Sequence, residues 1–142
     1  MNIEQRINQI EDKFKKLDSW EDRYKEIINL GKSLEMMEEK YKLEKFKVKG
    51  CQSQVWLAPV YTDQKLYFQA DSDSLLVKGI AALLLDVFSG HSLDDILEAK
   101  QDFLSNIGMT QHLSMNRTNG LASMVKQIKY YAIAFKTLKD LK

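Results

Sequence analysis

Thirteen positions near the middle of the chain dictate most of what it can become. Leu75, Leu76, Val77, Ile80, Leu83, Leu84 and Val87 leave no wide polar face when wound at 3.6 residues per turn, so this helix has to be buried largely all round. Amphipathic segments are available to surround it. Ile3, Ile7, Ile10, Phe14 and Leu17 follow a 4-3-4-3 spacing and line one face of a first helix. Ser19 is placed to cap a second, with Asp22 as a weaker capping-box acid. That helix runs through Trp20, Tyr24, Ile27, Ile28 and Leu30 and is expected to end at Gly31. The last helix carries Leu121, Met124, Val125, Ile128, Tyr131, Ala132, Phe135 and Leu138 as a stripe. Shorter helices are expected over 93–98, after the cap Ser92, and over 102–107, ending at Gly108.

Between these helices the pattern changes. Residues 32–49 read as a long connection with a short helix near 34–39. Phe46 to Lys49, Val55 to Tyr61 and Leu66 to Ala70 read as strands, the last two as a hairpin. Pro59, the only proline, cannot donate a ladder hydrogen bond, so its strand belongs at an edge or a bulge. Asp71, Ser72 and Asp73 are placed to open the central helix. Helices flanking a small antiparallel sheet make an α+β fold. With 142 residues and no linker-like stretch, residues 1–142 form a single domain, large enough for a core without staples.

Twenty-one basic against 20 acidic side chains leave a net charge of +1, which offers no broad footprint for nucleic acid. Cys51 is the single cysteine, so an intramolecular disulfide and a cysteine-rich zinc site are both excluded. Only His91 and His112 remain as soft ligands, and no metal is expected. The longest apolar stretch, Gly79 to Leu85, is far below the roughly 20 residues of a membrane span. The first residues, Met-Asn-Ile-Glu-Gln-Arg, do not resemble a secretory signal. A cytoplasmic protein is the simplest expectation.

Chemistry is most concentrated around the lone thiol, in Gly50-Cys51-Gln52-Ser53-Gln54-Val55-Trp56. Gly50 allows a turn that a Cβ would resist, and Gln52 and Ser53 supply donors for an anion. An isolated cysteine is more commonly a small buried hydrophobe, and the residues alone leave that reading open. A nucleophilic pair with His91 or His112 would further require an oriented base and an oxyanion hole. Arg117, near a helix start, runs against the macrodipole preference, a mild sign of binding. No phosphate loop, His-Glu metal helix or Gly-x-Ser-x-Gly elbow is present.

The heptapeptide around Cys51 resembles the cysteine motif of the SufE family of sulfur-acceptor proteins. Ser19-Trp20-Glu21-Asp22-Arg23-Tyr24 with Leu30-Gly31 resembles that family's second-helix signature. Asp71-Ser72-Asp73 with Val77-Lys78-Gly79 is similar to its post-hairpin helix start. Thr110-Gln111-His112-Leu113 and Arg117-Thr118-Asn119-Gly120-Leu121 resemble the approach to its last helix. Order and spacing are kept from about residue 18 to residue 135. The chain departs where the family often has Leu-Pro, reading Leu34-Glu35-Met36-Met37 instead.

The resemblance implies an α+β fold with a three-stranded antiparallel sheet, like that of iron–sulfur scaffold proteins. It implies that Cys51 accepts sulfur from the persulfide of a pyridoxal-phosphate cysteine desulfurase (SufS- or CsdA-like), stimulates that enzyme, and passes the sulfur to an iron–sulfur scaffold. The chain would then be a carrier rather than an enzyme, with no cofactor of its own. Gly50, Gln52 and Ser53 would shape the loop, and His112 and Arg117 would line the partner-facing rim. The loop would shelter the sulfur against Val55 or Trp56 and swing out to deliver it. The competing expectation from another class is a thiol-dependent hydrolase or transferase using Cys51 with His112. A third is an adaptor in which Cys51 only packs. Homodimer formation is left open.

Overall fold

A computed structural model describes residues 2–50, 53–100, 103–108 and 115–141, with only the backbone described over 115–119. Six α-helices stand among these residues: α1 (Ile3–Lys15), α2 (Trp20–Lys32), α3 (Leu75–Phe88), α4 (Leu93–Glu98), α5 (Phe103–Asn106) and α6 (Met115–Asp140). Two strands, β1 (Val55–Thr62) and β2 (Lys65–Ser72), lie between α2 and α3.

The central helix is α3, packed against α1, α2, β2 and α6. Its residues from Leu76 to Leu85, Lys78 apart, are buried, as are Val87 and Phe88, so the unbroken apolar circumference is accounted for. Leu75, the first residue of α3, remains 64% exposed. The helix does not open at Asp71-Ser72-Asp73 as the sequence suggested. Asp71 and Ser72 finish β2, and Ser74 is the cap, its Oγ accepting from Val77 N at 3.3 Å. Strand pairing outcompetes capping there because Ser72 stands opposite Val55 and Asp71 opposite Trp56 in the ladder.

The caps read on α2 and α4 hold: Ser19 Oγ accepts from Asp22 N, and Ser92 Oγ from Asp95 N, both at 3.1 Å. Gly31 does not end α2, which runs to Lys32. Gly31 instead faces Gly79 of α3, where a Cβ would lie 2.8 Å from the Gly79 nitrogen. The two glycines let the helix backbones meet almost directly. The stripe on α6 is buried at Leu121, Met124, Val125, Ile128 and Ala132, but Leu138 is 57% exposed because the helix outruns the core it packs on.

The sheet has two strands among the described residues, not three. β1 and β2 form an antiparallel hairpin closed by Asp63 (φ 53°) and Gln64 (φ 63°), the left-handed pair of a type I′ turn. Residues 46–49, expected as a strand, supply the end of a 3-10 turn at Glu44–Phe46 and one bridge from Lys47 to Trp56. A second 3-10 turn, Glu39–Tyr41, stands where a short helix had been expected slightly earlier. Thr62–Lys65 is the hydrogen-bonded pair that closes the turn, so alternation makes Pro59–Phe68 a non-bonded pair. Pro59 therefore turns its missing donor to the outer edge, as an edge strand allows. The same alternation aims Leu66 N and Phe68 N outward, where His91 O (2.8 Å) and Ser89 Oγ (3.0 Å) accept from them.

Candidate functional site

Cys51 and Gln52 lie outside the described residues, so the site is defined by what holds the segment on either side. Val48 N donates to Val55 O at 2.8 Å, and both valines are buried. Beyond this clasp, Gln54 N donates to Asp73 Oδ1 at 3.1 Å, while Asp73 N returns a bond to Gln54 O at 3.2 Å. The clasp thus bounds residues 49–54 on both sides, with Lys49, Gly50 and Gln54 exposed and Ser53 half-buried.

Gly50 has no Cβ to resist a left-handed turn. Its φ of +88° is in the left-handed region, and a Cβ there would come within 2.9 Å of Ser123 Oγ. Helix α6 therefore packs directly against Gly50, and it is held to β1 by the Tyr131 hydroxyl donating to Leu57 O at 3.0 Å. Arg117 belongs to the first turn of α6, six residues before Ser123 and so about 9 Å along the helix axis. That proximity brings two distant motifs to one end of the fold. His112 lies outside the described residues.

His91 is separated from the site. It bridges to Leu66 near the hairpin turn, whereas the cysteine segment rejoins at Val55, six strand positions or roughly 20 Å away. Half-burial holds the His91 imidazole below its ordinary pKa, despite the nearby Asp95 carboxylate. It is unsuited by position to serve as the base of Cys51.

A charged aromatic cluster flanks the clasp. Trp56 has the Lys42 and Lys47 ammonium groups at 5.9 and 5.8 Å from its ring centre. Its indole Nε1 is buried without a hydrogen-bond partner, a cost of about 1–3 kcal/mol. Asp71, opposite Trp56 in the ladder, binds Lys42 at 2.9 Å and Lys78 at 3.6 Å. Burial pushes the Asp71 carboxyl up, but the Lys42 and Ser72 hydrogen bonds and both ammonium charges together hold it below the ordinary value. With a depressed folded-state pKa, Asp71 contributes stability above the unfolded value near ~3.9 and loses it as pH falls through the folded one. The melting advantage of the wild-type chain over Asp71→Asn should be full at neutral pH and shrink below about pH 4. An equal advantage at both extremes would show that ionisation of Asp71 is not what anchors Lys42.

Sequence reading did not find Ser123 or Lys42, and it placed Asp71 and Asp73 at a helix start rather than in the Lys42–Asp71–Lys78 set and the clasp on Gln54. Ser123 had no signal, being one small polar residue on a helix. The alternation of lysine with apolar residues over 40–49 was a visible signal for the lysines.

Among the described residues no helix is long and apolar enough to cross a membrane. A family model described as "SufE: Fe-S metabolism associated domain" matches residues 8–132. The chain belongs to the SufE family. An uncharacterised SufE-like protein of Rhizobium meliloti is 43% identical over 128 residues, 87% of this chain and 91% of its own. The cysteine desulfuration protein SufE of Wigglesworthia glossinidia brevipalpis is 32% identical over 118 residues, 82% of each chain. A chloroplastic/mitochondrial SufE-like protein of Arabidopsis thaliana is 38% identical over 112 residues, 78% of this chain but 30% of that one. In fold, the solution structure of a hypothetical protein from Thermus thermophilus is similar at a TM-score of 0.78 and 20% identity. The match covers 93% of this chain and 96% of that one. The SufE assignment ties this chain to iron–sulfur metabolism.

Proposed function

We propose that this SufE-family chain is a sulfur carrier that takes sulfur from the persulfide of a pyridoxal-phosphate cysteine desulfurase. The Cys51 thiolate attacks the terminal sulfur of the donor persulfide. A new S–S bond forms on Cys51, the donor's own S–S bond breaks, and the donor cysteine leaves as thiolate. The proton carried by the terminal sulfur stays with it, giving Cys51–S–SH. Delivery to an iron–sulfur scaffold repeats the exchange with Cys51 as leaving group, so the chain completes no turnover alone and needs no cofactor. Removing the persulfide frees the desulfurase for its next cycle, which is how the carrier stimulates it.

The observation that carries this reading is the clasp. The only cysteine of the chain lies in a six-residue segment closed by Val48 and Val55 and bounded by exposed Lys49, Gly50 and Gln54. A single thiol also suits a carrier, since a second one nearby would resolve the persulfide to a disulfide. An ordinary thiol near pKa ~8.5 is only a few per cent ionised at neutral pH, and Lys49, two residues away, favours the anion. Gln52 and Ser53 shape the segment, and His112 and Arg117 face the partner. The exchange is assigned to the cytoplasm.

Mass spectrometry after incubation with a desulfurase and cysteine tests this directly. The expected result is a gain of about 32 Da per sulfur on Cys51, reversed by dithiothreitol. Absence of that gain, with a hydrolytic or transferase activity persisting in the isolated chain, would replace the carrier with a thiol enzyme.

A further inference from the structure

Lysines 40, 42, 45, 47 and 49 alternate with Tyr41, Leu43, Phe46 and Val48. Five lysines against one acid, Glu44, give these ten residues a formal charge of +4. The whole chain carries +1, so everything outside the arm sums to −3. Such segregation is hidden by the near-zero net charge.

The structure shows the arm as an organised surface leading into the cysteine segment. Its two 3-10 turns set the Lys40 ammonium 5.1 Å from the Tyr41 ring centre and that of Lys45 5.1 Å from Phe46. Tyr41 and Phe46 meet edge to face at 6.1 Å, and Leu43 stays 43% exposed between the turns. Lys47 joins the arm to β1 through its bridge with Trp56, and the next residue, Val48, forms the clasp. Lys40, Lys42 and Lys47 have carboxylate partners in Glu38, Glu39, Glu44 and Asp71, while Lys45 and Lys49 have no ion pair among the described residues. Basic heads seated over aromatic rings, with an apolar residue between, make a surface that is both charged and adhesive.

We propose that the Lys40–Lys49 arm is the docking surface for the sulfur donor, engaging an acidic protein face beside the donor's persulfide. This rests on the carrier reading above. A protein partner fits better than nucleic acid because the residues outside the arm, at −3, repel an extended polyanion. A local acidic patch can instead address Lys45 and Lys49, which have no ion pair among the described residues, and compete for the ion pairs of Lys40 and Lys47. Individually such exposed charges bind weakly, so their joint effect is on encounter: steering raises association rates by about 10 to 1,000-fold and fades with salt.

The test is the stimulation of a desulfurase by wild-type chain and by the double variant K40E/K45E, titrated at low and at high ionic strength. Both lysines are exposed, and thermal unfolding of the variant should match wild type. The expected result is a rise of about tenfold in the concentration giving half-maximal stimulation, with the maximum unchanged, and convergence of the two proteins near 1 M salt. An unchanged half-maximal concentration, or a lowered maximum with no such rise, overturns the proposal. So does wild-type retention on single-stranded RNA that the substitutions abolish. If wild-type chain acquires no sulfur on Cys51, the carrier reading itself fails. If it acquires sulfur and K40E/K45E titrates identically, the docking assignment alone fails.

Discussion

Cys51→Ser should return desulfurase stimulation to the rate of the enzyme alone, with sulfur transfer to this chain down at least about a thousandfold. The size follows from the chemistry. Serine's hydroxyl is scarcely ionised at neutral pH, and oxygen bonded to sulfur would be a far poorer carrier than a persulfide. Association with the desulfurase should survive, because the charged arm, the clasp and α6 are untouched. A binding measurement beside the activity assay separates the two contributions. Stimulation persisting in Cys51→Ser would make the chain an adaptor whose cysteine only packs, and the carrier reading would be lost.

Gly79→Ala should be the most damaging conservative substitution in the core. Within a helix, replacing glycine by alanine ordinarily stabilises by up to about 1 kcal/mol. Here the added Cβ would lie 2.1 Å from Ile27 O and 2.7 Å from its carbonyl carbon. Both are backbone atoms that cannot rotate aside, so α2 and α3 would have to part and unpack Ile27, which is fully buried. Overpacking costs roughly 1–3 kcal/mol and sometimes more, and this contact belongs at or beyond the upper end. For a chain of this size that lowers Tm by about 10 °C. Thermal unfolding followed by circular dichroism reads the effect, and a Tm at or above wild type would show that the helices do not cross so closely. Gly31→Ala presses on the same contact from the other side, at 2.8 Å from Gly79 N. The two substitutions should therefore fail to add.

The contrast between Gly31 and Ser19 shows how far residues alone can be read. Ser19 caps α2 through an atom three residues away, and that relation is written locally, as are the cap at Ser92 and the hairpin from Val55 to Ser72. Gly31 suggested a helix end by its type, yet its role depends on Gly79, 48 positions on, and no local pattern relates the two. The cysteine segment divides in the same way. Its motif and the left-handed turn at Gly50 were legible, whereas Ser123 beneath that turn and Asp73 clasping Gln54 required the chain to fold back. Phe46 to Lys49 had strand-like alternation, but lasting pairing needs a partner edge, and only Lys47 reaches one.

By itself the sequence determined the α-helices, the β1–β2 hairpin and the unique thiol next to a glycine, because periodicity, capping and turn chemistry act between neighbours. Tertiary structure alone decided that the described sheet stops at two strands, that α2 and α3 touch at paired glycines, and that His91 stands at the far end of the hairpin from the cysteine segment. Those outcomes depend on how closely distant backbones approach one another, a quantity set by packing.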